Sequence, residues 1–116
     1  MTTLVFAEHD GKQLAPATRH AVTAAARLGE VHILVAGKAV RHIAEEAARI
    51  IGVSRVLLAE AEHYEHLLAE ETAPLLVSLA EPYHYLAAAA SGFGKNTMPR
   101  AAALLDADPA LSLIHI

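Results

Sequence analysis

The sequence has 116 residues, of which 54% are hydrophobic and 4% aromatic, with a formal net charge of −4 and no cysteine. This length fits one domain or part of one, and the lack of cysteine excludes disulfides, thiolate metal sites and cysteine nucleophiles. The mild charge and the absence of a basic patch argue against nucleic acid as a partner.

The first strand and helix are predicted near the N-terminus. Residues 3–8, TLVFAE, form a short apolar run that is typical of a buried strand. Asp10 and Gly11 then form a turn signal. A helix follows from residue 16, with Pro16 in its first turn and Gly29 just past its end. Its predicted buried stripe consists of Ala17, Ala21, Ala25 and Leu28.

The middle of the chain repeats this pattern. Residues 30–37, EVHILVAG, form the second predicted strand, and residues 54–60, SRVLLAE, form the third. The helix between them ends at Gly52. Apolar residues recur along it at helical spacing, namely Val40, Ile43, Ala44, Ala47 and Ile51.

The last third of the chain continues the alternation. Residues 63–81 have helical character, with a kink or a restart expected at Pro74, because proline lacks a backbone donor. Thr72 is a candidate cap for the restarted helix. Residues 83–90 form the fourth predicted strand. The loop SGFGKNT then leads into another helix that begins MPRAAALLDA.

Strands and helices that alternate in this way predict an α/β fold with a parallel sheet and helices on both faces. Right-handed crossovers favour a Rossmann-like sheet with the strand order 3-2-1-4. Strand 4 is then expected to be an edge, so that the sheet is incomplete at its C-terminal side.

The final hexapeptide, LSLIHI at residues 111–116, differs from the rest of the chain. It is apolar and abrupt, and it is identical to one translated reading frame of a common sequencing adapter. We expect residues 1–110 to be natural sequence and residues 111–116 to be an adapter artefact that follows a truncation. The alternative is a natural short fifth strand.

A glycine-lysine pair lies in the loop after the fourth strand. A Walker A loop needs glycine, four residues, then Gly-Lys and Ser or Thr, but Ala89 lies five positions before Gly94, and Asn96 follows the lysine. A dinucleotide fingerprint needs a third glycine where Thr97 lies, and it follows the first strand. The residues therefore argue against a standard phosphate cradle.

Two loops still lie where open α/β sheets bind ligands, at the carboxyl ends of strands. Glu8, His9 and Asp10 follow the first strand at the expected switch point, and they form either a polar turn or a ligand contact. The second loop forms either a tight turn or an anion site at a helix N-terminus. Its candidate residues are Gly92, Phe93, Gly94, Lys95, Asn96, Pro99 and Arg100.

Metal and catalytic sites are not indicated by residue spacing. His63 and His66 lie three residues apart on a predicted helix, so their side chains could face one another, but no third ligand is evident. The other histidines are scattered over different elements, and no pair of nucleophile and base can be argued. We therefore expect no metal and no catalytic residue.

The segment LAAAASGFGKNTMPRAAALLD resembles a segment of electron transfer flavoprotein alpha subunits, which reads approximately A-x-(S/T)-x-F-G-K-N-x-x-P-R-(V/A)-A. The opening LVFAEHDGKQLAPAT and the strands EVHILVAG and GVSRVLLAE also resemble that family. The resemblance extends from residue 2 to about residue 108. The matching residues of the first segment are Ala89, Ser91, Phe93, Gly94, Lys95, Asn96, Pro99, Arg100 and Ala102.

The resemblance implies a function for the complete protein. Alpha subunits pair with a beta subunit and carry electrons from flavin dehydrogenases to a quinone oxidoreductase, as electron carriers and not as enzymes. The N-terminal domain of alpha is a scaffold that packs against beta, whereas FAD is held mainly by the C-terminal domain of alpha, and beta holds an AMP or a second FAD.

We therefore expect no cofactor in this piece, and we interpret the loop around Lys95 as a structural turn at a degenerate nucleotide-type site. The expected location is the bacterial cytoplasm, without insertion in a membrane, because no apolar stretch reaches the roughly 20 residues that span a bilayer and no targeting leader is seen. The alternative function is a stand-alone α/β domain that binds an adenine nucleotide.

Overall fold

The computed structural model describes residues 2–62, 74–75, 78–79, 83–88 and the backbone of 112–115. The predicted strands and the first two predicted helices are present in the expected order. Their observed bounds are β1 Thr2–Phe6, α1 Pro16–Ala25, β2 Glu30–Gly37, α2 Arg41–Ala48, β3 Val53–Glu60, β4 Tyr85–Ala88 and β5 Ser112–His115.

These strands form one parallel sheet with the order β3-β2-β1-β4-β5. The predicted order 3-2-1-4 is confirmed. Val5 of β1 pairs with Ile33 of β2 on one side and with Ala87 of β4 on the other, so β1 is central.

The expectation that β4 forms an edge is wrong, because β5 pairs with it over four residues, from Tyr85 with Ser112 to Ala88 with His115. Hydrogen bonding to β5 satisfies backbone groups that an edge strand leaves unpaired. The sheet therefore continues by one strand beyond β4. The assignment of residues 111–116 to an adapter stays a prediction.

Both faces of the sheet are buried along β1, β2 and β4, and side chains alternate between them with the period of two that a strand requires. Val5, Ile33 and Val35 point to the first face and lie in one apolar cluster with residues of α1 and α2. Leu4 and Leu34 point to the second face, where Leu86 and the partly buried, helical Leu75 and Leu79 pack with them. Helical residues therefore cover both faces, as predicted.

The helix ends differ from the sequence analysis in two places. The regular helix α1 ends at Ala25, and Leu28, predicted to be buried, lies in the turn that follows and is 40% exposed. Helix α2 ends at Ala48, so that Ile51 lies beyond it and is 95% exposed, whereas Ile50 takes the buried position. In both cases the apolar spacing of the sequence continues past the last helical residue.

Three predictions about helices lie partly or wholly outside the described residues. Pro74 and Leu75 are helical, and so are Ser78 and Leu79, but the proposed cap at Thr72 is not described. The predicted helix after the glycine-lysine loop also lies outside the described ranges.

Candidate functional site

The carboxyl ends of β1 and β2 place two loops side by side at one edge of the sheet. Glu8, His9 and Asp10 lie in the first loop, after β1, and their contact with a ligand stays a prediction. The second loop joins Gly37 to α2. The residues Gly92, Phe93, Gly94, Lys95, Asn96, Pro99 and Arg100 lie outside the described part of the chain, so their role stays a prediction.

His9 connects the two loops. The backbone N–H of Gly11 donates to its Nδ1 at 3.0 Å, which means that the proton of a neutral ring lies on Nε2. Nε2 then donates to the carbonyl oxygen of Ala36 at 2.6 Å. A side chain on Gly37 would contact this ring, because an added Cβ would lie 3.1 and 3.2 Å from the Cε1 and Nε2 atoms of His9. His9 is therefore a structural bridge between β1 and β2.

The side chain of Asp10 closes the first loop by accepting hydrogen bonds from nearby backbone groups. Its Oδ1 accepts hydrogen bonds from the backbone N–H groups of Lys12 and Gln13, both at 2.8 Å. The hydrogen bond from Gln13, followed by that from Lys12, lowers the pKa of Asp10 below its ordinary value of 3.8. A side chain that accepts from backbone two and three residues ahead forms a local turn, so this carboxylate is engaged within the loop.

The lowered pKa of Asp10 predicts a pH effect. A depressed carboxyl pKa stabilises the fold above its unfolded value of 3.8, and this contribution is lost as the pH falls through the lower, folded-state pKa. Asp10→Asn can accept the same hydrogen bonds without titrating. We expect D10N to lose less stability than the wild type between neutral pH and pH values below 3.8.

The measurement is urea unfolding of both proteins across that pH range. Glu45→Gln is the matched control, because Glu45 is also an exposed carboxylate but lies on helix α2. An acid dependence of D10N that equals that of E45Q would contradict the role of Asp10.

Thr18 on α1 forms hydrogen bonds with both backbone polar groups of Glu8, at the start of the first loop. The backbone N–H of Glu8 donates to Thr18 Oγ1 at 2.8 Å, and that hydroxyl donates to the carbonyl oxygen of Glu8 at 3.1 Å. Thr18 is buried, with 1% of its surface exposed. The backbone N–H groups in this loop that donate to acceptors of the chain itself are those of Glu8, Asp10, Gly11, Lys12, Gln13, Leu14 and Ala15.

The N-terminus of α2 is occupied by a carboxylate of the protein. Glu60, the last residue of β3, accepts a hydrogen bond from the backbone N–H of Val40 at 3.0 Å. Its other carboxylate oxygen lies 3.9 Å from Arg41 Nη2. Helix N-termini attract anions through free N–H groups and the helix dipole. Glu60 therefore supplies internally the negative charge that a phosphate would otherwise provide.

Helix α2 also holds the first loop through two side chains. Nε2 of His42 donates to the carbonyl oxygen of Gly11 at 3.1 Å. Glu46 accepts from the backbone N–H of Leu14 at 3.3 Å and from Arg19 Nη2 at 2.9 Å. Residue patterns in the sequence did not indicate these bridging contacts of His42 and Glu46.

The described residues do not assemble a metal site. Within that part of the chain, no three or more His, Cys, Asp or Glu side chains form a group that could hold a metal ion. His63 and His66 lie outside it. A cavity of about 170 Å³ lies at the opposite edge of the sheet, lined by residues from Val53 to Val56 and by Ala48, away from both loops.

No helix among the described residues has the length and apolar character needed to cross a bilayer.

Comparisons with a family profile and with individual proteins point to the same family. The profile of the electron transfer flavoprotein domain matches residues 3–116. The electron transfer flavoprotein subunit alpha of Pseudomonas aeruginosa is 44% identical over 117 aligned residues, which cover 100% of this chain and 38% of that subunit. The subunit alpha of Paracoccus denitrificans is 53% identical over 90 residues, or 78% of this chain and 29% of that protein.

The subunit alpha of Bradyrhizobium diazoefficiens is 49% identical over 117 residues, which cover 100% of this chain and 37% of that subunit. The matched segment thus spans between 29% and 38% of the length of these three relatives.

Proposed function

The chain belongs to the electron transfer flavoprotein family, and from this premise we propose that it is the N-terminal scaffold of an alpha subunit that docks a beta subunit. The complete heterodimer would carry electrons from flavin dehydrogenases to a quinone oxidoreductase in the bacterial cytoplasm. It would act as an electron carrier and not as an enzyme. Its FAD would bind to the C-terminal domain of the alpha subunit.

The scaffold role rests on the internal hydrogen bonds that occupy donors of the first loop and the Val40 N–H at the start of α2. A nucleotide phosphate binds an α/β sheet through free backbone N–H groups at the carboxyl edge. In this chain, Asp10, His9 and Thr18 accept from four N–H groups of the first loop, and Glu60 accepts from the Val40 N–H at α2. A phosphate would have to displace a carboxylate at both positions.

The described residues therefore do not fit a flavin or an adenine nucleotide at the β1 and β2 loops. Asp10 and Glu60 are acceptor-only groups when ionised, so they would repel the phosphates of either molecule. This argument favours the scaffold role over a stand-alone nucleotide-binding domain.

The test is co-expression of the 116-residue chain with a beta subunit from a close bacterial relative, followed by affinity capture through a tag on the chain. We expect the beta subunit to co-purify in a complex of one copy each. Titration calorimetry of the chain alone with AMP and with FAD is expected to give no saturable binding.

Two outcomes of the titrations would contradict these assignments. Saturable AMP binding by the chain alone, without capture of the beta subunit, would overturn the proposal in favour of the nucleotide-binding domain. Saturable FAD binding would contradict the assignment of the flavin to the C-terminal domain.

A further inference from the structure

A hydrogen-bonded chain of three ionisable side chains lies at the amino edge of the sheet, opposite to the loops described above. Nδ1 of His32 lies 2.8 Å from the phenol oxygen of Tyr83, and Nε2 of the same ring lies 2.9 Å from Oε2 of Glu30. Glu30 and His32 belong to β2, whereas Tyr83 precedes β4. The two rings meet edge to face, with their centroids 5.3 Å apart.

The carboxylate determines how the protons are arranged. Ionised Glu30 only accepts hydrogen bonds, so Nε2 of His32 carries a proton and donates it to that side chain. In the neutral ring Nδ1 is then an acceptor, and the phenol of Tyr83 donates to it. The two hydrogen bonds therefore point the same way, from the phenol to the imidazole and from the imidazole to the carboxylate. This arrangement suits transfer of a proton away from Tyr83.

The surroundings keep the phenol protonated and shielded. Tyr83 is 9% exposed, and the His32 side chain is 13% exposed, whereas that of Glu30 is 55% exposed. Desolvation raises the pKa of Tyr83 above 10.0, and the nearby negative charge of Glu30 adds to this effect while Arg55 opposes it. The buried phenol is thus poorly placed to attack an electrophile, but an electron can leave it without direct contact between the reactants.

We propose that Tyr83 is a redox-active tyrosine, which a strong outer-sphere one-electron oxidant oxidises while its phenolic proton moves to Nδ1 of His32. One electron passes from the phenol to the oxidant, which is reduced by one electron. The O–H bond of Tyr83 breaks and an N–H bond forms on His32. The products are a neutral tyrosyl radical and an imidazolium, and re-reduction of the radical returns the proton.

Two features of the site favour this coupled step. A phenol that loses an electron becomes a strong acid, so oxidation in a buried position needs a proton acceptor already in contact, and His32 is in contact at 2.8 Å. The imidazolium that forms then lies 2.9 Å from the carboxylate of Glu30, and an opposite charge at that distance stabilises it.

Flash photolysis of the full chain with photogenerated tris(bipyridine)ruthenium(III) tests the proposal. The chain has no tryptophan or cysteine and only three tyrosines, so the tyrosyl absorption is readily assigned. We expect fast formation of the radical in the wild type, with slower formation in heavy water because a proton moves in the same step. Tyr83→Phe should lose this fast phase.

His32→Gln removes the base but keeps a polar side chain that can hydrogen-bond. A positioned base contributes at least roughly 10²-fold to proton-transfer reactions, so H32Q should slow the fast phase by about that factor. His20→Gln is the matched control, since His20 is exposed on α1, and it should leave the rate unchanged. Circular dichroism establishes that each variant is folded.

Three results would overturn the proposal, namely a fast phase that persists in Y83F, a wild-type rate in folded H32Q, or no solvent isotope effect in the wild type. If H32Q does not fold, Glu30→Gln replaces it, because Glu30 is half exposed and its charge stabilises the imidazolium. E30Q should then slow the fast phase, and an unchanged rate in E30Q would count against the proposal.

Discussion

Replacement of Ile33 with alanine is expected to lower the free energy of unfolding by about 3 kcal/mol, in the middle of the range for buried isoleucines. Ile33 is fully buried in the central part of β2, in the cluster that joins the sheet to α1 and α2. Truncation removes apolar contacts and leaves a cavity, because strands on both sides hold the backbone in place. Urea unfolding followed by circular dichroism measures the change.

Ile51→Ala is the matched control for this experiment. It removes the same atoms from a side chain that is 95% exposed, in the turn between α2 and β3. We expect a change within about 0.5 kcal/mol, as for other surface substitutions. Equal losses for I33A and I51A would contradict the placement of the two isoleucines, one inside the sheet and one in an exposed turn.

The strand order could be predicted because its signals are local and repeated. Continuous apolar runs such as residues 30–37 indicate strands that are covered on both faces, and helices between them require right-handed parallel crossovers. The β5 pairing could not be predicted in this way. One isolated apolar hexapeptide has no periodicity to place it, and its partner is decided by which edge of the sheet remains free.

The burial of Leu28 and Ile51 was mispredicted for a related reason. Both residues continue the helical spacing of the apolar stripe, but α1 and α2 end before them, at Ala25 and Ala48. Once the chain leaves the helix, spacing no longer determines which way a side chain points. Gly29 and Gly52 were correct stop signals, but each lies four residues after the last regular helical residue.

The contacts of the candidate site also fall into local ones, which the sequence predicts, and long-range ones, which it does not. The turn at Asp10 was visible in the sequence, because its hydrogen bonds reach only two and three residues ahead. The bridge from His9 to Ala36 spans 27 residues, and that from Glu60 to Val40 spans 20. Contacts of this kind depend on the register of β1, β2 and β3, which residue patterns alone do not provide.

Replacement of Gly37 with alanine is expected to lower the free energy of unfolding by about 2 kcal/mol, as is typical when a methyl group is forced into a packed site. The added Cβ would lie 2.7 Å from Cγ1 of Val40 and within 3.2 Å of the His9 ring. Val40 is buried, with 1% of its surface exposed, so that it has little room to move. The clash would separate β2 from the loop that His9 holds.

A double-mutant cycle with Val40→Ala separates this clash from the general effect of the substitution. V40A removes Cγ1, which is the closest atom, so G37A should cost less in the V40A background than alone, by at least about 0.5 kcal/mol of coupling. Coupling is expected because residues in direct contact do not contribute additively. The remaining cost in the double mutant then reports the contact with His9, which V40A leaves in place, together with the strain of a side chain at a φ of +159°. A G37A protein as stable as the wild type would mean that the His9 bridge can shift without loss, and that the two loops are not held together as argued.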